Sequence, residues 1–111
     1  ISFWARGNNV EALKHFLESL THAQEINFEL GIANAYGNMG LAYEEQRLLE
    51  ESHRSHFQAL KIFQKLNNNE RIATTLNNIG SVYHKIGKLD SALHYINESA
   101  LVRKQINDRY G

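Results

Sequence analysis

An internal repeat restricts the fold of this chain more than any other feature. Displaced by forty residues, segment 32–71 aligns on segment 72–111 without a gap. The overlay brings Ile32 onto Ile72, Ala33 onto Ala73, Asn38 onto Asn78, Gly40 onto Gly80, Tyr43 onto Tyr83, Leu49 onto Leu89 and Asn67 onto Asn107. Residues 1–31 fall into the same register at twice that displacement, where Gly7 meets Gly87, Ala12 meets Ala92, Leu13 meets Leu93, Ser19 meets Ser99 and Asn27 meets Asn107. A unit of this length is one supersecondary element that cannot bury its apolar face alone, so it must stack on its neighbours. The chain therefore divides into the end of one repeat (1–31), a second (32–71) and a third (72–111), all in one array. Because the first unit is entered part-way, the sequence reads as a piece of a longer protein.

Each repeat carries two apolar patterns at helical spacing, and no proline interrupts them. In the third, Ala73, Leu76, Ile79, Gly80 and Tyr83 form one stripe, and Leu89, Ala92, Leu93, Ile96, Ala100 and Ile106 the next. Between them Gly87 can end a helix and Asp90 can begin one. The runs 67–70 and 106–109 join repeats. The pattern predicts five full helices, at about 9–26, 31–46, 49–66, 71–86 and 89–106, with a stub at 1–6 left from a sixth. Glycine inside a helix costs about 1 kcal/mol relative to alanine, so Gly40 and Gly80, one turn before Tyr43 and Tyr83, predict close helix crossings. Phe3 is the equivalent aromatic of the first repeat.

Twelve basic residues balance twelve acidic ones without a long run of either sign. No positive field for nucleic acid or an anionic membrane follows, and no apolar run resembles a membrane span or signal peptide. The absence of cysteine excludes disulfides and thiolate metal sites and fits a soluble cytoplasmic chain. His53 and His56 could share a helix face near Glu50, but without a third ligand they make a poor zinc site, and no metal or other cofactor is expected. There is no phosphate loop, dinucleotide fingerprint or nucleophile elbow. The adjacent pairs Glu44–Glu45 and Glu50–Glu51 splay about 100° apart on a helix and do not converge on one atom. An enzyme is not expected.

The words around Met39, Gly40 and Tyr43, and around Ile79, Gly80 and Tyr83, resemble the first helix of the tetratricopeptide repeat family. Ala12, Phe16 and Ser19, then Ala92, Ile96 and Ser99, resemble its second helix. The resemblance covers essentially the whole chain. The period exceeds the family's usual length of about thirty-four residues. It is similar to the long-repeat branch of Leu-Gly-Asn-rich adaptors, kinesin light chain-like proteins and bacterial signalling arrays. It implies an all-α, right-handed superhelical solenoid of antiparallel helix hairpins that binds other proteins. Two departures stand out. The proline usual between repeats is missing, and Ser52, His53 and His56 replace the small, apolar and large apolar residues of the neighbouring repeats, which argues against tight packing of the third full helix.

In that family the first helices line a concave groove. Here their outward side carries Asn34, Gly37, Asn38, Leu41, Glu44 and Glu45, then Thr74, Asn77, Asn78, Ser81, His84 and Lys85. Asn38 and Asn78 are the leading candidates, because a carboxamide donates and accepts and can hold a peptide backbone of any sequence. The competing role is to bond the neighbouring helix and hold the stack. Lys85 with His84 could grip a carboxylate, though one lysine lacks the basic partners of the family's charged clamp. Trp4 could anchor a ligand or cover the stub. The expected partner is a protein or peptide, with an adaptor role. The alternatives are a regulatory region of a bacterial signalling protein, beside a kinase, cyclase or DNA-binding effector, and a structural spacer. Exposed repeat ends also predict self-association.

Overall fold

The computed structural model describes the backbone of residues 2–110 and the side chains of residues 10–108. It contains five helices: α1 (Ser2–Glu25), α2 (Glu29–Glu45), α3 (Leu49–Lys65), α4 (Asn69–Ile86) and α5 (Leu89–Tyr110). Each packs on the next, and α2 also touches α4. The result is a stack of antiparallel hairpins measuring 44 × 38 × 21 Å, a helical solenoid in its proportions. Among the described residues there is no strand.

The turns repeat at half the sequence period. Asn27, Arg47, Asn67 and Gly87 stand twenty residues apart with φ of 59°, 65°, 54° and 95°. Each ends a helix in the left-handed conformation. The amide after it donates back to the carbonyl five residues earlier, as from Phe28 to Ala23 (2.8 Å), Leu48 to Tyr43 (2.9 Å), Asn68 to Phe63 (3.0 Å) and Lys88 to Tyr83 (2.9 Å). These Schellman closures satisfy orphan carbonyls of the outgoing helix. The same four residues then accept the first bond of the next helix, from Ile32, Ser52, Ile72 and Ala92. Asn68 adds a side-chain cap on the Arg71 amide at 3.2 Å.

Two expected turns do not form. α1 runs unbroken from Ser2 through Gly7, so the stub is not a separate element, and α5 continues through Asn107 to Tyr110. The remnants on the far side of Gly7 and Asn107 are six and four residues long.

The close crossings are where the glycines predict them. A methyl group on Gly40 would lie 2.6–2.7 Å from the ring of His56, and one on Gly80 would lie 2.8 Å from Ile96 Cγ1 and 3.1 Å from the Ala92 carbonyl. The third full helix is as tightly packed as its neighbours, against the expectation from its polar residues. Ser52 and His56 are fully buried: the Ser52 hydroxyl donates to the Gly40 carbonyl at 2.7 Å, and the flat imidazole fits the space that Gly40 leaves. The α5 stripe is the reverse case. Its inward face is Ala92, Tyr95, Ser99 and Val102, with Ser99 donating to the Ala73 carbonyl at 2.7 Å. Leu89 and Leu93 remain 62% and 59% exposed.

Candidate binding groove

A cleft of about 330 Å³ runs between the outward faces of α2 and α4. Helix α2 contributes Asn34, Gly37, Asn38 and Leu41, along about two turns of one face, and α4 contributes Arg71, Thr74, Thr75 and Asn78. Phe63 reaches in from α3. The two helices are equivalent elements of successive repeats, so residues forty apart, such as Asn34 and Thr74 or Asn38 and Asn78, line one space. Among the described residues neither Asn38 nor Asn78 has a side-chain hydrogen-bond partner within the protein. Their donors and acceptors are therefore available to a ligand.

The stack is held by other groups farther along the same face. Glu44 is 7% exposed, and its Oε2 accepts from Ser81 Oγ at 2.9 Å and from Lys85 Nζ at 2.8 Å. Its carboxylate ties α2 to α4 and occupies two residues expected in the groove. Lys85 is thereby paired within the protein, which leaves no free charged clamp with His84. Asn77, His84 and Glu45 are exposed and lie outside the cleft. Arg71, Thr75 and Phe63 line it unforeseen. Arg71 stands seven residues before Asn78, two helical turns along one face, a signal the sequence does hold. Phe63 belongs to a second-type helix, and the periodicity of the first helices gives no hint of it. Trp4 and Phe3 lie outside the described side chains.

The histidine pair does not converge on a metal. His53 Nε2 is 2.7 Å from the Tyr83 hydroxyl, whereas His56 lies against Gly40. No group of three potential metal ligands occurs among the described residues. Burial lowers the His53 pKa, helped by Arg54 and Lys88, and burial raises that of Tyr83. Burial takes His56 furthest, to about 4, against the opposing pull of Glu44. No described helix is long and apolar enough to cross a membrane.

The sequence matches the tetratricopeptide repeat over residues 1–65 and again over 31–105, overlapping matches that together cover nearly the whole chain. The chain belongs to the tetratricopeptide repeat family. A crystal structure of the apo form of RapI is similar over 91% of this chain, with 28% identity and a TM-score of 0.84. BtubC (BKLC) from P. vanneervenii shares the fold alone, with 17% identity and a TM-score of 0.57, again over 91% of the chain. No curated protein matches the sequence. The chain spans 36% of the RapI chain and 59% of the BtubC chain. As a tetratricopeptide repeat array it is a helical-repeat module of a protein-interaction scaffold family.

Proposed function

We propose that this array captures an extended or helical segment of a partner protein in the cleft between α2 and α4, acting as an adaptor. One observation carries the reading. Asn38 and Asn78 face a shared cleft with their carboxamides unpaired, while Glu44, Ser81 and Lys85 hold the two helices together. Binding and stacking thus fall to different residues. Asn34 and Thr74 extend the polar floor, Leu41 and Phe63 supply apolar surface, and Asn77, His84 and Glu45 flank it. Such a lining bonds a peptide main chain and leaves the choice of side chains to the edges. A chain without cysteine suits the reducing cytoplasm, where we place this activity.

The test is selection of random peptides on the immobilised protein, followed by affinity measurement on the Asn38→Ala, Asn78→Ala double variant. Loss of two or more hydrogen bonds should weaken binding on the order of 10- to 100-fold. Circular dichroism and thermal midpoint should stay unchanged, because neither side chain bonds the stack. Failure to select any peptide, or equal affinity for both proteins, overturns the proposal.

A further inference from the structure

Gly37 is a helix glycine that packing does not explain. It lies at the middle of α2, and its φ is not in the left-handed region. At such a position glycine weakens a helix relative to alanine, because its freer backbone must be ordered. The other described glycines each have a cause. A methyl group on Gly31, Gly40 or Gly80 would come within 2.6–2.8 Å of a neighbouring side chain, and Gly87 holds φ at 95°. A methyl group on Gly37 would meet nothing within 4 Å beyond its chain neighbours and the backbone of its own helix. Nor does the repeat call for glycine here, since Asn77 holds the equivalent place in α4.

The space over Gly37 belongs to the cleft that it lines together with Asn34, Asn38, Leu41 and Asn78. It is not a stacking contact left open, for α2 already packs on α1 and α3, and α4 on α3 and α5. What a bare backbone offers is close approach by another main chain.

The neighbouring carboxamides decide the form of that main chain. Inside an α-helix the N–H and C=O groups bond one another, and side chains sheathe them to a radius of about 5–6 Å. A helical ligand would therefore offer no main-chain partner to the unpaired amides of Asn38 and Asn78. An isolated extended strand keeps its N–H and C=O groups free along its edges, where one carboxamide can donate to a carbonyl and accept from an amide. We infer that an extended strand, and not a helix, crosses directly over Gly37 with its main-chain groups held by Asn38 and Asn78. The inference rests on the reading of the cleft as a peptide site and assigns the conformation of its ligand. From Asn34 to Leu41 the cleft follows about 10 Å of helix, which seats about three residues of extended chain.

The probe is the tightest peptide selected from a random library on the whole chain. Gly37→Ala should raise the thermal midpoint by about 4 °C while weakening this peptide about tenfold. Gly37→Leu, also a good helix former, should weaken it by roughly 100-fold or more. A protein that becomes more stable and binds less has not lost binding through its fold. The circular dichroism of the complex should equal the sum of its parts, with no helix added. Unchanged affinity in Gly37→Leu, or helix gained on binding, overturns this inference; a peptide still lost in the Asn38→Ala, Asn78→Ala variant would then leave the peptide reading standing. Failure to select any peptide overturns both.

Discussion

Replacing His56 by isoleucine should stabilise this protein, although it deletes a residue from the middle of the core. The His56 side chain is fully buried, and both ring nitrogens lack a partner among the described residues. A buried polar group left without its hydrogen bond costs about 1–3 kcal/mol. Isoleucine is the residue that the third repeat uses at the equivalent position, where Ile96 lies over Gly80 as His56 lies over Gly40. Isoleucine and histidine have about the same helix propensity, and some of the flat ring's fit over Gly40 is lost, so the expected gain at pH 7 is about 1–2 kcal/mol. For a chain of this size that raises the thermal midpoint by roughly 4–9 °C.

The pH dependence makes the prediction sharper. His56 titrates near 4 in the folded protein and near 6.5 when unfolded. Between these values the unfolded chain binds a proton that the folded one refuses. Stability from the neutral imidazole is therefore complete above pH 6.5 and is lost as pH falls toward 4, by about 3 kcal/mol in all. His56→Ile should abolish that loss and leave the smaller slope of the same sign from His53, whose pKa is also lowered. The variant's advantage should consequently widen from pH 7 to pH 4. Urea unfolding followed by circular dichroism at several pH values measures both quantities. A variant less stable than the parent at pH 7, or an advantage that stays constant with pH, would show that the imidazole is hydrogen-bonded or charged in the native protein.

Two further substitutions probe the backbone. Gly40→Ala should destabilise by about 1–2 kcal/mol net, since overpacking against the buried His56 ring outweighs the gain of about 1 kcal/mol in helix propensity. In a His56→Ala background the same change should become neutral or favourable, which a double-mutant cycle reads directly. Arg47→Gly should stabilise by about 1 kcal/mol, because Arg47 holds φ at 65° where glycine pays no steric penalty. Denaturant titration checks it, and an unchanged midpoint would mean that Arg47 makes a compensating contact.

Much of this fold is legible in the sequence because its turns are chemical as well as periodic. Asn27, Asn67 and Gly87 are residue types that tolerate the left-handed conformation, and they mark three of the four turns. Arg47 carries no such signal and is placed only by its register with the others. The same register misleads at Gly7 and Asn107, where the repeat implies a turn but the helix runs on. Sequence pattern also cannot rank two apolar stripes on one helix. Leu89 and Leu93 look more like core than Ser99 and Tyr95 do, yet they face outward, because the direction of α4 and not the hydropathy of α5 decides which stripe is buried.

The groove divides along the same line. Asn34, Asn38, Leu41, Thr74 and Asn78 were readable because the outward face of a helix follows from its own period, and those faces do meet in one cleft. What a single helical wheel lacks is the distance to the next helix. Ser81 and Lys85 sit on the correct face, but they come within 2.9 Å and 2.8 Å of Glu44, which turns two apparent ligand contacts into a strut. The same separation brings Asn38 and Asn78 to a shared space without joining them. One end of the interhelical face is consequently closed by a buried carboxylate, and the other is left open and polar. If the cleft binds a peptide as proposed, that division of labour would allow the groove asparagines to change with the ligand while Glu44 keeps the repeats in register.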